Sequence, residues 1–242
     1  MKKLKRLCVT LLLLTAFSIP AYCTWSIIVI DPVTKEIGIA GASCTYSVYG
    51  IGAIVPGKGA IIVQAMSNPL ARLKGLRMIM ADAPPKEILE ALKDPYFDPE
   101  SQQYAIICMS DIEHPQTFTG AENSPAKGAV TAKGISVQGN TLTDAKELQA
   151  VLDAAIKAQK ASLPIQEVLL LALEAGAKTG GDKRCGDRKA SSAFITVAKP
   201  GDDPQKPYLN LVVNGTDEKA NAVKALRTKF DSWKIKGSKG TK

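Results

Sequence analysis

Histidine is almost missing from this chain of 242 residues: His114 is the single one, and Pro115 follows it in a turn-like stretch. A Ser-His-Asp or Cys-His pair would have to be built on that residue, and a lone histidine in a turn reads as a surface residue. The phosphate-cradling loops G-x-x-x-x-G-K-[ST] and G-x-G-x-x-G after a strand are absent. No C-x-x-C occurs and no histidine stands near a cysteine, so neither a metal nor a cofactor is expected. Aromatics make up 5% of the chain and are not interleaved with a basic patch, which argues against a nucleic-acid partner. No apolar run reaches the ~20 residues that a membrane-spanning helix needs.

What is present begins at the N-terminus. Lys2, Lys3, Lys5 and Arg6 precede an apolar run from Cys8 to Ile19, then Pro20, then Ala21-Tyr22-Cys23. This is the layout of a cleavable secretory leader over 1–23, with small residues at Ala21 and Cys23 placing the cut before Thr24. The mature chain is then expected to be exported, periplasmic or secreted, with no membrane segment left. Loss of four basic residues lowers the net charge from +8 to +4, much of it in a lysine-rich tail over 234–242 expected to be frayed. The remaining residues 24–233 suit one domain. Self-association is left open.

Three cysteines stay in the mature chain. Cys108 sits in the apolar run 104–109 and reads as a buried free thiol. Cys44 and Cys185 sit beside small residues in loop-like contexts. A Cys44–Cys185 disulfide is the favoured reading for an oxidising compartment, and two unpaired thiols the alternative.

Periodicity and turn signals predict strands over 25–30, 36–43, 52–55 and 60–65, the second rich in Gly and Ala and so open to close approach by a backbone or ligand. Helices follow over 69–80, where Asn68-Pro69 supplies the cap and Leu73, Leu76, Arg77 and Met80 share a spacing, and over 85–92. Strands over 104–109, 116–119 and 135–137 precede helices over 144–161 and 164–177. A polar glycine-rich loop over 179–189, strands over 193–197 and 208–213 and a helix over 217–230 complete the order. Met66, Met78 and Met80 read as core filling. Strands in runs argue against a doubly wound parallel sheet, and near-continuous apolar strands argue for sheets covered on both faces. An α+β four-layer αββα sandwich satisfies both.

The missing histidine matters less if Thr24 is the first residue. Its hydroxyl would be a nucleophile and its α-amine, with a reference pKa of about 7.7–8.0, the base. Threonine nucleophiles of this kind are a convergent solution for acyl transfer. Gly139-Asn140 after a strand is a candidate oxyanion hole, or else a turn before Asp144. Ser43 is a candidate partner of the amine. Asp182 and Arg184 in the glycine-rich loop are candidates for a substrate's charged ends, or for an ion pair that stiffens the loop. Asn68, besides capping a helix, is carried as a candidate substrate contact. Lys58 reads as a solvated turn lysine.

Several segments together resemble one family. They are Thr24 to Pro32, Ile37 to Cys44, Gln64-Ala65-Met66-Ser67-Asn68-Pro69, Val137-Gln138-Gly139-Asn140 and Gly180-Gly181-Asp182-Lys183-Arg184-Cys185-Gly186. In this order they resemble the domain of unknown function 1028 family, over nearly the whole mature chain. The resemblance implies a sandwich like that of the N-terminal-nucleophile (Ntn) hydrolases. Relatives that begin Met-Thr would expose the matching threonine by loss of Met. The chain departs from the family at Ser191-Ser192-Ala193, where Gln-Ser-Ala is common, and at Cys44, where a longer polar residue is common. The expectation is an exported Ntn amidohydrolase acting on a small amide or peptide-like molecule through Thr24. The alternative is a non-catalytic binding or interaction protein that retains the fold.

Overall fold

The computed structural model describes residues 24–239; the expected leader over 1–23 and residues 240–242 lie outside the described residues. Two antiparallel sheets form the centre. Ten strands run β1 (Thr24–Ile30), β2 (Ile37–Ser43), β3 (Gly52–Val55), β4 (Gly59–Ala65), β5 (Gln102–Cys108), β6 (Gln116–Thr119), β7 (Gly128–Ala132), β8 (Ile135–Asn140), β9 (Ser192–Ala198) and β10 (Leu209–Val213). The larger sheet has the order β10-β9-β2-β1-β8-β7 and the smaller β3-β4-β5-β6. Five helices, α1 (Pro69–Met80), α2 (Pro85–Leu92), α3 (Lys146–Lys160), α4 (Ile165–Thr179) and α5 (Ala222–Lys239), lie outside them.

Strand alternation sorts the apolar side chains into three cores. Successive side chains on a strand point to opposite faces. Trp25, Ile27 and Val29 of β1 therefore pack with Leu152 of α3, Leu169 and Leu173 of α4 and Phe230 of α5. Ile28 and Ile30 point the other way, against Ile62 and Ala105 of the smaller sheet. That sheet's far face, with Ile61, Val63 and Ile106, packs on Ala71 and Ile79 of α1 and Ile88 and Leu92 of α2. The mixed α+β architecture with two sheets inside and helices outside is the one the order of elements predicts.

Local chemistry explains the element ends. Asn68 accepts hydrogen bonds from the Leu70 and Ala71 amides and starts α1 where Pro69 fits the first turn. The buried face of α1 is Ala71, Gly75 and Ile79, not Leu73 and Met80, which are exposed. Close approach to Ile61 selects small residues there, since a Cβ on Gly75 would collide with that side chain. Met66 and Met80 are likewise exposed rather than core filling; Met78 alone packs partly against the core. The small residues of β2 serve packing: a Cβ at Gly38 would enter the Leu169 side chain.

The last helix begins later and runs further than predicted. Asn221 caps it by accepting from the Val223 and Lys224 amides. It continues to Lys239, so residues 234–239, expected to be frayed, are helical. Trp233 stacks on Phe230 at 5.6 Å, and Arg227 and Lys234 bond Glu167 of α4 at 2.8 and 2.6 Å. Strand β7 was not predicted; it is a half-exposed edge strand.

Candidate functional site at the head of strand β1

Thr24 opens the central strand of the larger sheet and is 3% exposed. Across the ladder it faces Ser43 on β2 and Asn140 on β8. Directly paired residues lie ~4.5–5.5 Å apart and project to the same face. Thr24 has the parity of Ser26 and Ile28, so its side chain belongs to the face turned towards the smaller sheet. The three candidate catalytic residues of the sequence are thus brought together by register alone.

A buried polar network runs beneath them. Ser136 Oγ donates to Gln138 Oε1 at 3.0 Å and Gln138 Nε2 to Ser26 Oγ at 2.6 Å. Ser26 Oγ donates to Gln64 Oε1 at 2.5 Å, and Gln64 Nε2 to Gln103 Oε1 at 2.8 Å. Asn140 Nδ2 donates to the same Gln103 oxygen at 2.9 Å, while Gln103 Nε2 bonds the Gly139 carbonyl at 2.8 Å. Every member is at most 2% exposed. Buried amides of this kind are costly unless satisfied, and once satisfied they fix orientation. One Asn140 amide hydrogen is held by Gln103; the other is not needed for that bond.

Thr24 also lines a cavity of about 370 Å³ with Thr45, Ser47, Tyr49, Ser67 and Arg72. Thr45 Oγ1 donates to Ser43 Oγ at 3.1 Å, linking the wall to the ladder. Backbone strain gathers here: Ala65 and Ser67 have φ of 69° and 54°, and Thr141, beside Asn140, has 52°. A β-branched residue in that region is an outlier, and such strain concentrates at functional sites.

Of the sequence candidates only Thr24 lines this cavity; Ser43, Gly139 and Asn140 lie beside it in the ladder, and the others stand further off. Asp182 is fully buried and its carboxylate accepts from the Cys44 amide at 2.5 Å and the Arg184 amide at 2.9 Å. Arg184 Nη2 bonds it at 2.8 Å. The pair therefore stiffens the glycine-rich loop. Asn68 caps α1 and donates to the Phe97 carbonyl at 3.1 Å. Cys44 and Cys185 form a disulfide with Cα atoms 5.5 Å apart, tying that loop to the end of β2. Cys108 is free and buried, and burial raises its thiol to about 12. His114 is exposed and bonded to Asp111 at 2.7 Å. Lys58 bonds Asp82 at 2.7 Å.

Sequence reading missed Arg72 and the glutamines. Arg72 looks like an ordinary helix residue, and only the packing of α1 brings it to the cavity. Gln64, Gln103 and Gln138 carried a faint signal as polar residues inside apolar strands. Among the described residues no cluster of His, Cys, Asp and Glu could hold a metal, and no helix is long and apolar enough to cross a membrane.

Fold and site together define an α+β protein of two antiparallel sheets covered by helices, with a hydroxyl-lined cavity at the head of its central strand. The chain belongs to the family of unknown function DUF1028, whose model matches residues 24–226. It is similar to the crystal structure of the DUF1028 protein SPO2555 from Silicibacter pomeroyi, with 24% identity and a TM-score of 0.74. That match covers 87% of this chain and 85% of the other. No curated protein matches it.

Proposed function

We propose that the mature chain is an exported Ntn-type amidohydrolase, with the sandwich of that class and Thr24 as its nucleophile. The observation that carries the reading is the place of Thr24: it heads a buried central strand, between Ser43 and Asn140, and opens into a cavity. The match of the family model from residue 24 onward and the Cys44–Cys185 disulfide support processing and export.

The chemistry needs no histidine. The Thr24 α-amine takes the hydroxyl proton as Oγ attacks the amide carbonyl carbon. The second Asn140 amide hydrogen stabilises the oxyanion. Collapse breaks the C–N bond, and the α-ammonium returns its proton to the leaving amine. Water then attacks the ester by the same route, releasing the acid and restoring the hydroxyl. A cavity of about 370 Å³ lies at the small end of ligand pockets, ~300–1,000 Å³, which suits a small N-acyl amine.

The test is turnover of a panel of small N-acyl amines by chain 24–242. Thr24→Ser is expected to keep activity, and Thr24→Ala or one extra residue before Thr24 to abolish it. Equal turnover by all four chains would refute the mechanism. Binding without turnover in any of them would favour a non-catalytic binding protein.

A further inference from the structure

The cavity at Thr24 carries a cation with no counter-charge. Arg72 is half-buried in its wall, and among the described residues its guanidinium has neither an ion pair nor a hydrogen bond. No Asp or Glu stands among the lining residues. The other arginines singled out above are spoken for, Arg184 by Asp182 and Arg227 by Glu167 and Glu174. Burial lowers the Arg72 pKa from its usual value, yet arginine remains a cation in proteins. A half-desolvated guanidinium facing a cavity is an incomplete contact. Its planar fork matches a carboxylate bidentately, and that pairing is strongest away from bulk water.

We propose that Arg72 is the specificity residue of this site and that the ligand carries a free carboxylate on its acyl portion. The inference rests on the hydrolase reading only for the word acyl. With Thr24 and Arg72 in one cavity of about 370 Å³, a short ligand spans both. The scissile carbonyl lies at the Thr24 hydroxyl, and the carboxylate at the guanidinium. Ser47 offers a hydroxyl to the polar atoms between, and the Thr45 and Ser67 hydroxyls, which donate to Ser43 Oγ and the Val63 carbonyl, offer acceptor oxygens. Arg72 is held in place because α1 is anchored at both faces of its first turn. Asn68 caps it, and Ala71 is buried against the smaller sheet.

The experiment separates binding from chemistry. Chain 24–242 carrying Thr24→Ala is titrated calorimetrically with N-succinyl and N-butyryl derivatives of one amine, which differ by the terminal carboxylate. The succinyl ligand is expected to bind about 10- to 100-fold more tightly, the worth of one charge-assisted bidentate contact. Arg72→Met on the same background erases the difference, and Arg72→Lys restores part of it. Thermal melting of each variant establishes that it is folded; if Arg72→Met is not, Arg72→Gln takes its place. Equal affinity for the two ligands, no binding of either, or a preference that survives loss of the guanidinium overturns the proposal. Hydrolysis of the succinyl amide by the Thr24 chain is scored separately. Preference without turnover sinks the hydrolase reading and leaves Arg72 standing; turnover without preference does the reverse.

Discussion

Replacing Glu147 by glutamine should change how stability depends on pH. Glu147 lies in the first turn of α3 and is fully buried. Neither carboxylate oxygen has a hydrogen-bond partner among the described residues, and the Gly181 amide bonds the Gly176 carbonyl at 3.1 Å. Burial chiefly, opposed by the Gly181 amide dipole and by Lys189 and reinforced by repulsion from Asp182 and Asp144, raises its pKa from 4.5 to about 8. The folded protein therefore holds a proton between those values that the unfolded chain releases. Stability is full below about pH 4.5, falls as pH rises, and levels off above about pH 8. The shift corresponds to a ceiling of about 5 kcal/mol, and relaxation of the site brings the expected loss to about 2–4 kcal/mol. Glutamine mimics the protonated acid. Urea unfolding of Glu147→Gln should thus match wild type within about 1 kcal/mol at pH 4.5 and exceed it by about 2–4 kcal/mol at pH 8.5. A wild-type stability that does not fall over this range relative to the variant, or a variant equally weakened at both pH values, would refute the reasoning.

Reduction of the Cys44–Cys185 bond, which closes 141 residues, should cost about 2–5 kcal/mol in urea unfolding, read as a lower midpoint with reductant. Under the same native conditions without reductant, Cys108 should resist thiol reagents and label only on unfolding, because it is buried and its thiol is raised to about 12. Gln103→Leu removes the shared acceptor of Gln64 and Asn140, and should destabilise by about 2–4 kcal/mol. If Asn140 holds the oxyanion, the same substitution lowers kcat by about 10-fold or more with KM little changed in steady-state assays.

The parts of the fold legible in the sequence are those set by local chemistry. Asn68-Pro69 predicts the start of α1 because a cap and a proline act within one turn. The Cys44–Cys185 pairing was the favoured of two readings, because Cys108 has a strand context and the other two a loop context, and the structure has the bond. The buried face of α1 was not legible, because leucines at helical spacing mark a core only when the neighbour leaves room. Here Ile61 leaves room only for a glycine at position 75, and the buried face runs through Ala71, Gly75 and Ile79. Strand β7 escaped because its half-exposed edge lacks a continuous apolar run. The extent of α5 depends, beside the local stack of Trp233 on Phe230, on Lys234 meeting Glu167 of α4, a contact that no window of sequence contains. At the site, Thr24 was singled out through the expected leader, which lies outside the described residues. Its neighbours Ser43 and Asn140 depend on register. Arg72 and Gln103 depend on how the smaller sheet packs on β1 and α1 on the smaller sheet, so they emerge only in three dimensions.

The central claim is that Thr24, once the expected leader is cut, is an N-terminal nucleophile. It is tested most directly by N-terminal sequencing and intact mass of the exported protein, before and after a hydroxyl-directed acylating probe. The account predicts a chain that begins at Thr24 and gains one probe mass on that residue, with no gain in Thr24→Ala. A chain that begins elsewhere, or one that begins at Thr24 and stays unlabelled, would contradict it.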